Sequence, residues 1–122
     1  MSSEWRKRRR DGDEALARLA VSLVGYAVRI PVEDIVSSTR GSAMAAFARQ
    51  VAMYLCHVGE GLSLSRVADA FGRDRSTIAY ACHLVEDRRD DPNFDDWICA
   101  LEQALRATPA QPAHATSDLV QP

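Results

Sequence analysis

Apolar residues recur at steps of three and four along most of the chain, the spacing that places them on one face of an amphipathic helix. Long helices are predicted over residues 13–30 and 43–58, with one short helical turn between them at residues 32–36. Pro31 separates the first helix from the turn, because proline cannot donate to a helix and disfavours helix at the residue before it. Residues 94–107 carry one more periodic segment.

The stretch from Gly61 to Arg89 contains two such segments close together. The first carries Leu64, Val67, Ala68 and Phe71, and the second carries Ile78, Cys82 and Val85. Gly72 interrupts the pattern between them, and Ser63 stands where it can cap the first segment. The spacing therefore predicts a helix, a tight turn and a second helix that ends before Asp90.

A polar cluster lies where the second of these helices begins. In a helix-turn-helix, the first residues of the second helix face the floor of the major groove. Arg75 can donate to guanine O6 and N7, Asp74 can accept from cytosine N4, and the methyl group of Thr77 can contact that of thymine. The same residues also suit an alternative, because Asp74 and Ser76 are ordinary helix caps in hairpins that bind no nucleic acid.

Three sequence blocks resemble the C-terminal DNA-binding domain of the bacterial replication initiator DnaA. They read ARQVAMYL from residue 48, SL at residue 63 followed by AFG at residue 70, and RDRSTI from residue 73. The resemblance covers about Leu16 to Arg89 and includes no phosphate-binding loop or ATPase body. It implies an all-α helical bundle that contains a helix-turn-helix, of the Trp-repressor-like class, in a short DnaA-related protein such as HdaB.

The resemblance also implies which residues contact DNA. It assigns the minor groove to Arg40 and the DNA backbone to Arg49 and Gln50, with His57 near a phosphate. Together with the turn chemistry, the predicted base contacts are Asp74, Arg75, Ser76 and Thr77, and the predicted backbone or minor-groove contacts are Arg40, Arg49, Gln50, His57, Ser63 and Arg73. The chain departs from the family pattern at Arg75, where DnaA has histidine, and at Gly72, where DnaA usually has two glycines.

Charge is strongly segregated along the chain, although the formal net charge is only −2. Residues 1–10 hold five Arg and Lys against one Glu, which gives +4, and residues 40–80 hold five Arg against three acids, which gives +2. Residues 86–102 hold seven acids against two Arg, which gives −5. A basic front of this kind suits a polyanionic partner.

The two termini lack apolar periodicity, and three segments are predicted on that basis. Residues 1–12 are a disordered basic arm, residues 13–107 are the domain, and residues 108–122 are a disordered Pro/Ala-rich tail. The arm is interpreted either as a solubilising tail or as an extension that adds phosphate contacts or enters a minor groove.

No residue set indicates catalysis or a bound cofactor. Cys56, Cys82 and Cys99 form no CxxC pair, and the three histidines are scattered, so neither a zinc site nor a disulfide framework is predicted. The cysteines are expected to be reduced and buried. No signal peptide or membrane helix is predicted, which suggests the bacterial cytoplasm and nucleoid.

Two functions follow from these observations. The first is a sequence-preferring double-stranded DNA-binding protein, not an enzyme, in replication initiation, its regulation or transcriptional control. The second is a module that modulates DnaA or its inactivator Hda, with DNA binding secondary. The last helix bears on the second function. Its side chains Phe94, Trp97, Ile98 and Leu101 share one face that either packs on the first helix or forms a dimer or partner surface.

Overall fold

The computed structural model describes residues 2–37 and 41–108, and all of its regular elements are helices. Six α-helices follow one another: α1 (Ser3–Val28), α2 (Val32–Val36), α3 (Ala43–Tyr54), α4 (Leu64–Phe71), α5 (Arg75–Arg88) and α6 (Pro92–Ala107). One π-helical turn, Leu55–Gly59, continues α3. The predicted all-α fold is therefore confirmed. Among the described residues, none of the helices combines the length and apolarity needed to cross a membrane.

The first helix begins at Ser3, so the predicted start at Asp13 is wrong and residues 3–12 are helical rather than disordered. Ser2 caps this helix, since its hydroxyl accepts from the Trp5 backbone N–H at 3.2 Å. Arginine and lysine favour helix even where nothing buries them, and a packed helix propagates into such a segment at little cost. Asp13 is not a cap but is buried in the third turn, where its carboxylate binds Arg66.

A single core lies between α1, α3, α5 and α6. Its fully buried members include Val24, Val51, Ile78 and Ile98, one from each of these helices. The chain turns sharply after α1, where Gly25 packs against α2: an added Cβ would lie 2.9 Å from the Ile30 carbonyl oxygen. These contacts place α4 and α5 on a rigid base.

The last helix packs on this core, as one of the two predictions for it stated. Phe94, Ile98 and Leu101 are buried, and Trp97 stacks on Phe47 of α3 with ring centroids 6.1 Å apart. Trp97 is only half-buried, and the alternative, in which this face forms a dimer or partner surface, stays a prediction. Residues 109–122, where the tail was predicted, lie outside the described residues.

The cysteines are free in this fold, but they are not equally buried. Cys56 and Cys82 are buried, as predicted, whereas Cys99 is half-buried on α6. Burial raises the pKa of the Cys56 thiol to about 12 and that of the Cys82 thiol to about 11. Within the described residues, no group of three His, Cys, Asp or Glu side chains is arranged to hold a metal ion.

Candidate nucleic-acid interface

The turn between α4 and α5 depends on the backbone of Gly72. This residue has φ 65°, in the left-handed region, which costs glycine less than any other residue. The Arg73 N–H then donates to the Ala68 carbonyl at 3.0 Å and closes the end of α4. Asp74 returns to an extended conformation at the cap position of α5. Three residues therefore join the helices, as in a helix-turn-helix.

The start of α5 presents its polar side chains to solvent. Asp74, Arg75, Ser76 and Thr77 are all exposed, and the opposite face of the helix is held in the core by buried Ile78. Within the described part of the chain, none of these four side chains forms a hydrogen bond or an ion pair, and the Asp74 carboxylate does not cap its own helix. All four predicted base-contacting residues are thus brought together and left free for a ligand.

The exposed surface of α5 continues along its next two turns. Ala79 and Tyr80 are exposed, and Tyr80 retains 63% of its accessible area. His83 follows one turn later and lies 3.4 Å from the carboxylate of Asp87. The small side chain of Ala79 leaves room for another surface to approach this helix closely.

Two of the predicted backbone-contacting arginines are bound to the end of α2. Arg49 donates through Nη1 to the carbonyls of Ile35 and Ser37, at 2.9 and 3.0 Å. Arg73 donates through Nη2 to the carbonyls of Val36 and Ser37, at 3.3 and 3.4 Å. Burial, and then the nearby charge of Arg73, lower the pKa of Arg49. Arg49 therefore holds the end of α2 against α3, and Arg73 holds it against the turn of the helix-turn-helix, roles that were not predicted from the sequence.

The other predicted backbone contacts lie in different environments. Gln50 is half-buried on α3, and His57 directs Nδ1 to the Leu62 carbonyl at 2.6 Å. Ser63 is exposed and caps α4 by accepting from the Arg66 N–H at 3.2 Å. Arg40 lies outside the described residues. Of the described members of this set, Ser63 at the start of α4 is exposed, whereas the others are half-buried.

The far end of α5 is joined to its neighbours by a polar network. Arg89 donates to Asp95 and Cys99 of α6 and to the Tyr54 hydroxyl at the end of α3, and it also lies 3.5 Å from Glu102. Tyr54 in turn donates to Glu86 of α5. Burial and the bond to Glu86 raise the pKa of Tyr54 to about 12. Burial lowers the pKa of Arg89, but its bonds to Asp95 and Tyr54 outweigh that effect and raise it.

A group of arginines next to α4 was not identified from the sequence. Arg6, Arg9 and Arg10 of α1 line one groove with Arg66 of α4, and Arg66 binds Asp13 through Nε and Nη2 at 2.9 and 2.7 Å. One sequence signal could have revealed it. Arg9 and Arg10 lie three and four residues after Arg6, and Asp13 lies four and three residues after them, so the four would share a helix face if the helix began earlier.

Comparisons with known proteins agree with this architecture. The sequence profile of the family described as bacterial dnaA protein helix-turn-helix matches residues 19–85. The chromosomal replication initiator protein DnaA of Lachnoclostridium phytofermentans is 36% identical over 93 residues, which cover 75% of this chain and 20% of that protein. The DnaA of Laribacter hongkongensis is 38% identical over 80 residues, covering 64% of this chain and 16% of the relative.

A solved crystal structure of a DNA replication initiation factor superposes with a TM-score of 0.71 at 30% sequence identity, over 81% of this chain and 30% of that one. The chain thus spans a fifth or less of the length of these curated relatives. The matched region contains the whole turn and the exposed start of α5, together with α2, α3 and α4. The protein belongs to the bacterial DnaA helix-turn-helix family.

Proposed function

We propose that this chain binds double-stranded DNA with a base preference and acts in bacterial replication initiation or its regulation. The observation that carries the proposal is the start of α5, where four polar side chains, Asp74 to Thr77, are exposed and unpartnered within the described residues. An intramolecular role would have engaged at least some of them. Their position at the second helix of a helix-turn-helix is the one from which base edges are read.

Each side chain at this position has a chemistry suited to one base. Arg75 can donate two hydrogen bonds to the O6 and N7 of guanine, and the Asp74 carboxylate can accept from the N4 amino group of cytosine. Thr77 can contact a thymine methyl group through its own methyl, and Ser76 can bond to several bases. Because Arg75 can make two hydrogen bonds to guanine, we propose that guanine is preferred at one position of the site.

The DNA backbone would be held by residues around this reading surface. The exposed hydroxyl of Ser63 lies at the start of α4, where backbone N–H groups and the helix dipole favour a phosphate. Arg49 and Arg73 each use one terminal nitrogen for α2, and an arginine has five N–H donors, so donors remain for phosphate. The contacts of Arg40, Gln50 and His57 stay predictions.

The wider role is also part of the proposal, because the chain matches only a small part of each initiator. A protein with this reading surface would regulate initiation or nearby promoters by binding DNA at its own sites. The alternative, a module that contacts DnaA or Hda, drew on the lack of an ATPase body, on Arg75 and on the acidic and aromatic last helix. Of these grounds the last is weakened, because Phe94, Ile98 and Leu101 are buried within this chain. Duplex binding is therefore the function that the observations favour.

A selection from a random duplex library, carried out with the wild type and with Arg75→Ala, tests the proposal. We expect the wild type to enrich a motif with a guanine at one position, and Arg75→Ala to lose about 1–3 kcal/mol of discrimination at that position alone. Arg106→Ala is the matched control, because Arg106 is an exposed arginine of α6 with no bond to another described residue. It should leave the enriched motif unchanged.

Three results would contradict this proposal in different ways. An unchanged motif with Arg75→Ala would remove the base-reading role of Arg75. An equal loss of base discrimination with Arg106→Ala would show that the effect depends only on the net charge of the protein. Absence of duplex binding by the wild type, combined with capture of purified DnaA or Hda, would favour the interaction module instead.

A further inference from the structure

The helical extension of α1 forms one wall of a groove whose other wall is α4. We call it the basic groove, and it is lined chiefly by Arg6, Arg9, Arg10, Asp13, Arg66 and Asp69, with a volume of about 410 Å³. Four arginines against two aspartates give the groove a formal charge of +2. Because α4 is the first helix of the helix-turn-helix, this charge lies directly beside the proposed DNA-binding unit.

The acidic residues of the groove do not neutralise the arginines of α1. Asp13 uses both of its carboxylate oxygens for Arg66, at 2.7 and 2.9 Å. Within the described residues, Arg6, Arg9 and Arg10 are exposed and form no ion pair, although the Arg9 guanidinium lies 5.0 Å from the centre of the Trp5 ring. Three guanidinium groups are therefore left to bind an anion.

The position of these charges is set by the fold. The helix is continuous from Ser3 into the core, and the Asp13–Arg66 pair joins it to α4 just after the last arginine of the run. Arg6 and Arg10 are one helical turn apart, so their side chains project from the same face. The arginines are thus held at a constant distance from α4, unlike those of a disordered arm.

Either an anionic membrane surface or the DNA backbone could bind in such a groove, and the sequence of residues 3–12 favours DNA. A helix that binds a membrane surface needs a broad apolar face with aromatic or leucine side chains, opposite its basic face. In residues 3–12, Trp5 is the single large apolar side chain, and the consecutive basic residues 6–10 surround the helix. This arrangement lacks the apolar face that inserts into a bilayer. It can instead neutralise DNA phosphates next to the major-groove site of α5.

We propose that the basic groove binds phosphates of the DNA backbone next to the site read by α5, so that the start of α1 is a second, sequence-independent contact. The inference rests on the proposed duplex binding. It assigns Arg6 and Arg10 to direct phosphate contact, and it assigns Arg66 and Asp13 to positioning. The contact would lengthen the protected stretch of DNA and increase affinity without altering the base preference.

A pair of double variants with the same charge loss tests this site. Arg6→Gln with Arg10→Gln removes two charges from the basic groove, whereas Lys7→Gln with Arg8→Gln removes two charges from the same helix outside it. Binding of the full chain to a labelled mixed-sequence duplex is measured between about 50 and 200 mM salt. We expect the slope of log K against log salt to weaken by about 2 in the groove variant and by less than half as much in the control.

A charge-retaining variant separates contact from structure. Arg6→Lys with Arg10→Lys should keep the wild-type salt dependence, because lysine also neutralises phosphate. Circular dichroism follows the helix in each variant. If the lysine variant lost affinity as the glutamine variant does, with helix content unchanged, the phosphate contact would be overturned.

The remaining outcomes distinguish this inference from the proposed function. Equal salt slopes in the two glutamine variants, or no change of slope in either, would overturn phosphate binding by the basic groove. The proposed base reading would still stand if Arg75→Ala altered the enriched motif. No duplex binding by the wild type would overturn both. Loss of binding to anionic phospholipid vesicles in the groove variant, with duplex binding intact, would assign the groove to a membrane and end the proposal.

Discussion

The two ends of α5 differ in how they are held. At its start, Asp74, Arg75, Ser76 and Thr77 are exposed and, among the described residues, make no side-chain bonds. At its end, Arg89 connects the helix to α6 through Asp95 and to α3 through Tyr54. One helix therefore combines an anchored end with a free end.

This difference fits the proposed function. A reading helix must keep its own bonding groups unsatisfied until DNA supplies their partners, and it must not lose orientation in doing so. The polar network at the far end, together with buried Ile78 and Val85, supplies that orientation. The anchored end and the proposed reading surface are thus separated along about four helical turns, so either can be changed alone.

The largest expected effect comes from breaking the anchored end with Arg89→Met. Removing one partner of a buried ion pair costs about 3–5 kcal/mol, and we expect about 3 kcal/mol here because Asp95 is partly exposed and solvent screens the pair. Urea unfolding measures the free energy of unfolding. Arg106→Met, an exposed arginine replaced in the same way, should change it by less than about 0.5 kcal/mol.

A loss below about 1 kcal/mol for Arg89→Met would mean that apolar packing alone orients the end of α5. The comparison between its two ends would then fail. Duplex binding by folded Arg89→Met tests whether the two ends of α5 act separately. We expect its base preference to resemble that of the wild type, because Asp74 to Thr77 are unchanged.

Alkaline pH should weaken the anchored end through Tyr54 and Cys82. The pKa of Cys82 is raised from 9.0 to about 11, and that of Tyr54 from 10.0 to about 12. Above pH 9 the unfolded chain releases protons that the folded chain retains. The stability from Cys82 is therefore complete below pH 9 and lost as the pH rises through 11, and that from Tyr54 is complete below pH 10 and lost as the pH rises through 12. Each group contributes a slope of about 1.4 kcal/mol per pH unit while only its unfolded form is ionised.

Unfolding measured from pH 8 to 11 checks this dependence. Cys82→Ala should make the fall between pH 9 and 11 shallower, whatever its effect on stability at pH 8. An identical slope with and without the thiol would show that Cys82 ionises equally in the folded and unfolded chains. The alkaline fall would then have to come from other groups, such as Tyr54.

A smaller effect is expected at the free end from Gly72→Ala. Alanine at φ 65° is strained, and we expect a loss of about 1 kcal/mol in the free energy of unfolding. No atom lies within 4 Å of an added Cβ, so backbone strain alone accounts for the change. Gly12→Ala is the control: inside α1 it should instead stabilise the chain, by up to about 1 kcal/mol. Destabilisation by both variants would contradict this account of the turn.

Sequence periodicity located five of the six helices to within a few residues, and the turn from Arg73 to Thr77 was recognised from its residue types. The first helix was the exception. Periodicity reports burial on one face, and residues 3–12 are exposed on all sides, so the pattern carried no signal there. The start of α6 was displaced for a smaller reason, because Pro92 is tolerated in the first turn of a helix.

The candidate site was predicted in part. The exposure of Asp74 to Thr77 agrees with the prediction, since polar residues at a helix start rarely have core partners. Arg49 was assigned to the DNA backbone, yet it binds the carbonyls of Ile35 and Ser37, which are 14 and 12 residues away in sequence. No local pattern identifies such a partner.

The sequence by itself determined the helical class, the turn at Gly72 and the chemistry of the residues that follow it, because these depend on local propensity and on spacing within one helix. The tertiary structure alone decided which charges are bound and which are free. Arg66 and Asp13 are distant in sequence, and so are Arg89 and Tyr54. Each pair meets only because packing of the apolar faces brings the helices together, and an arginine then binds whichever acceptor that packing places within reach.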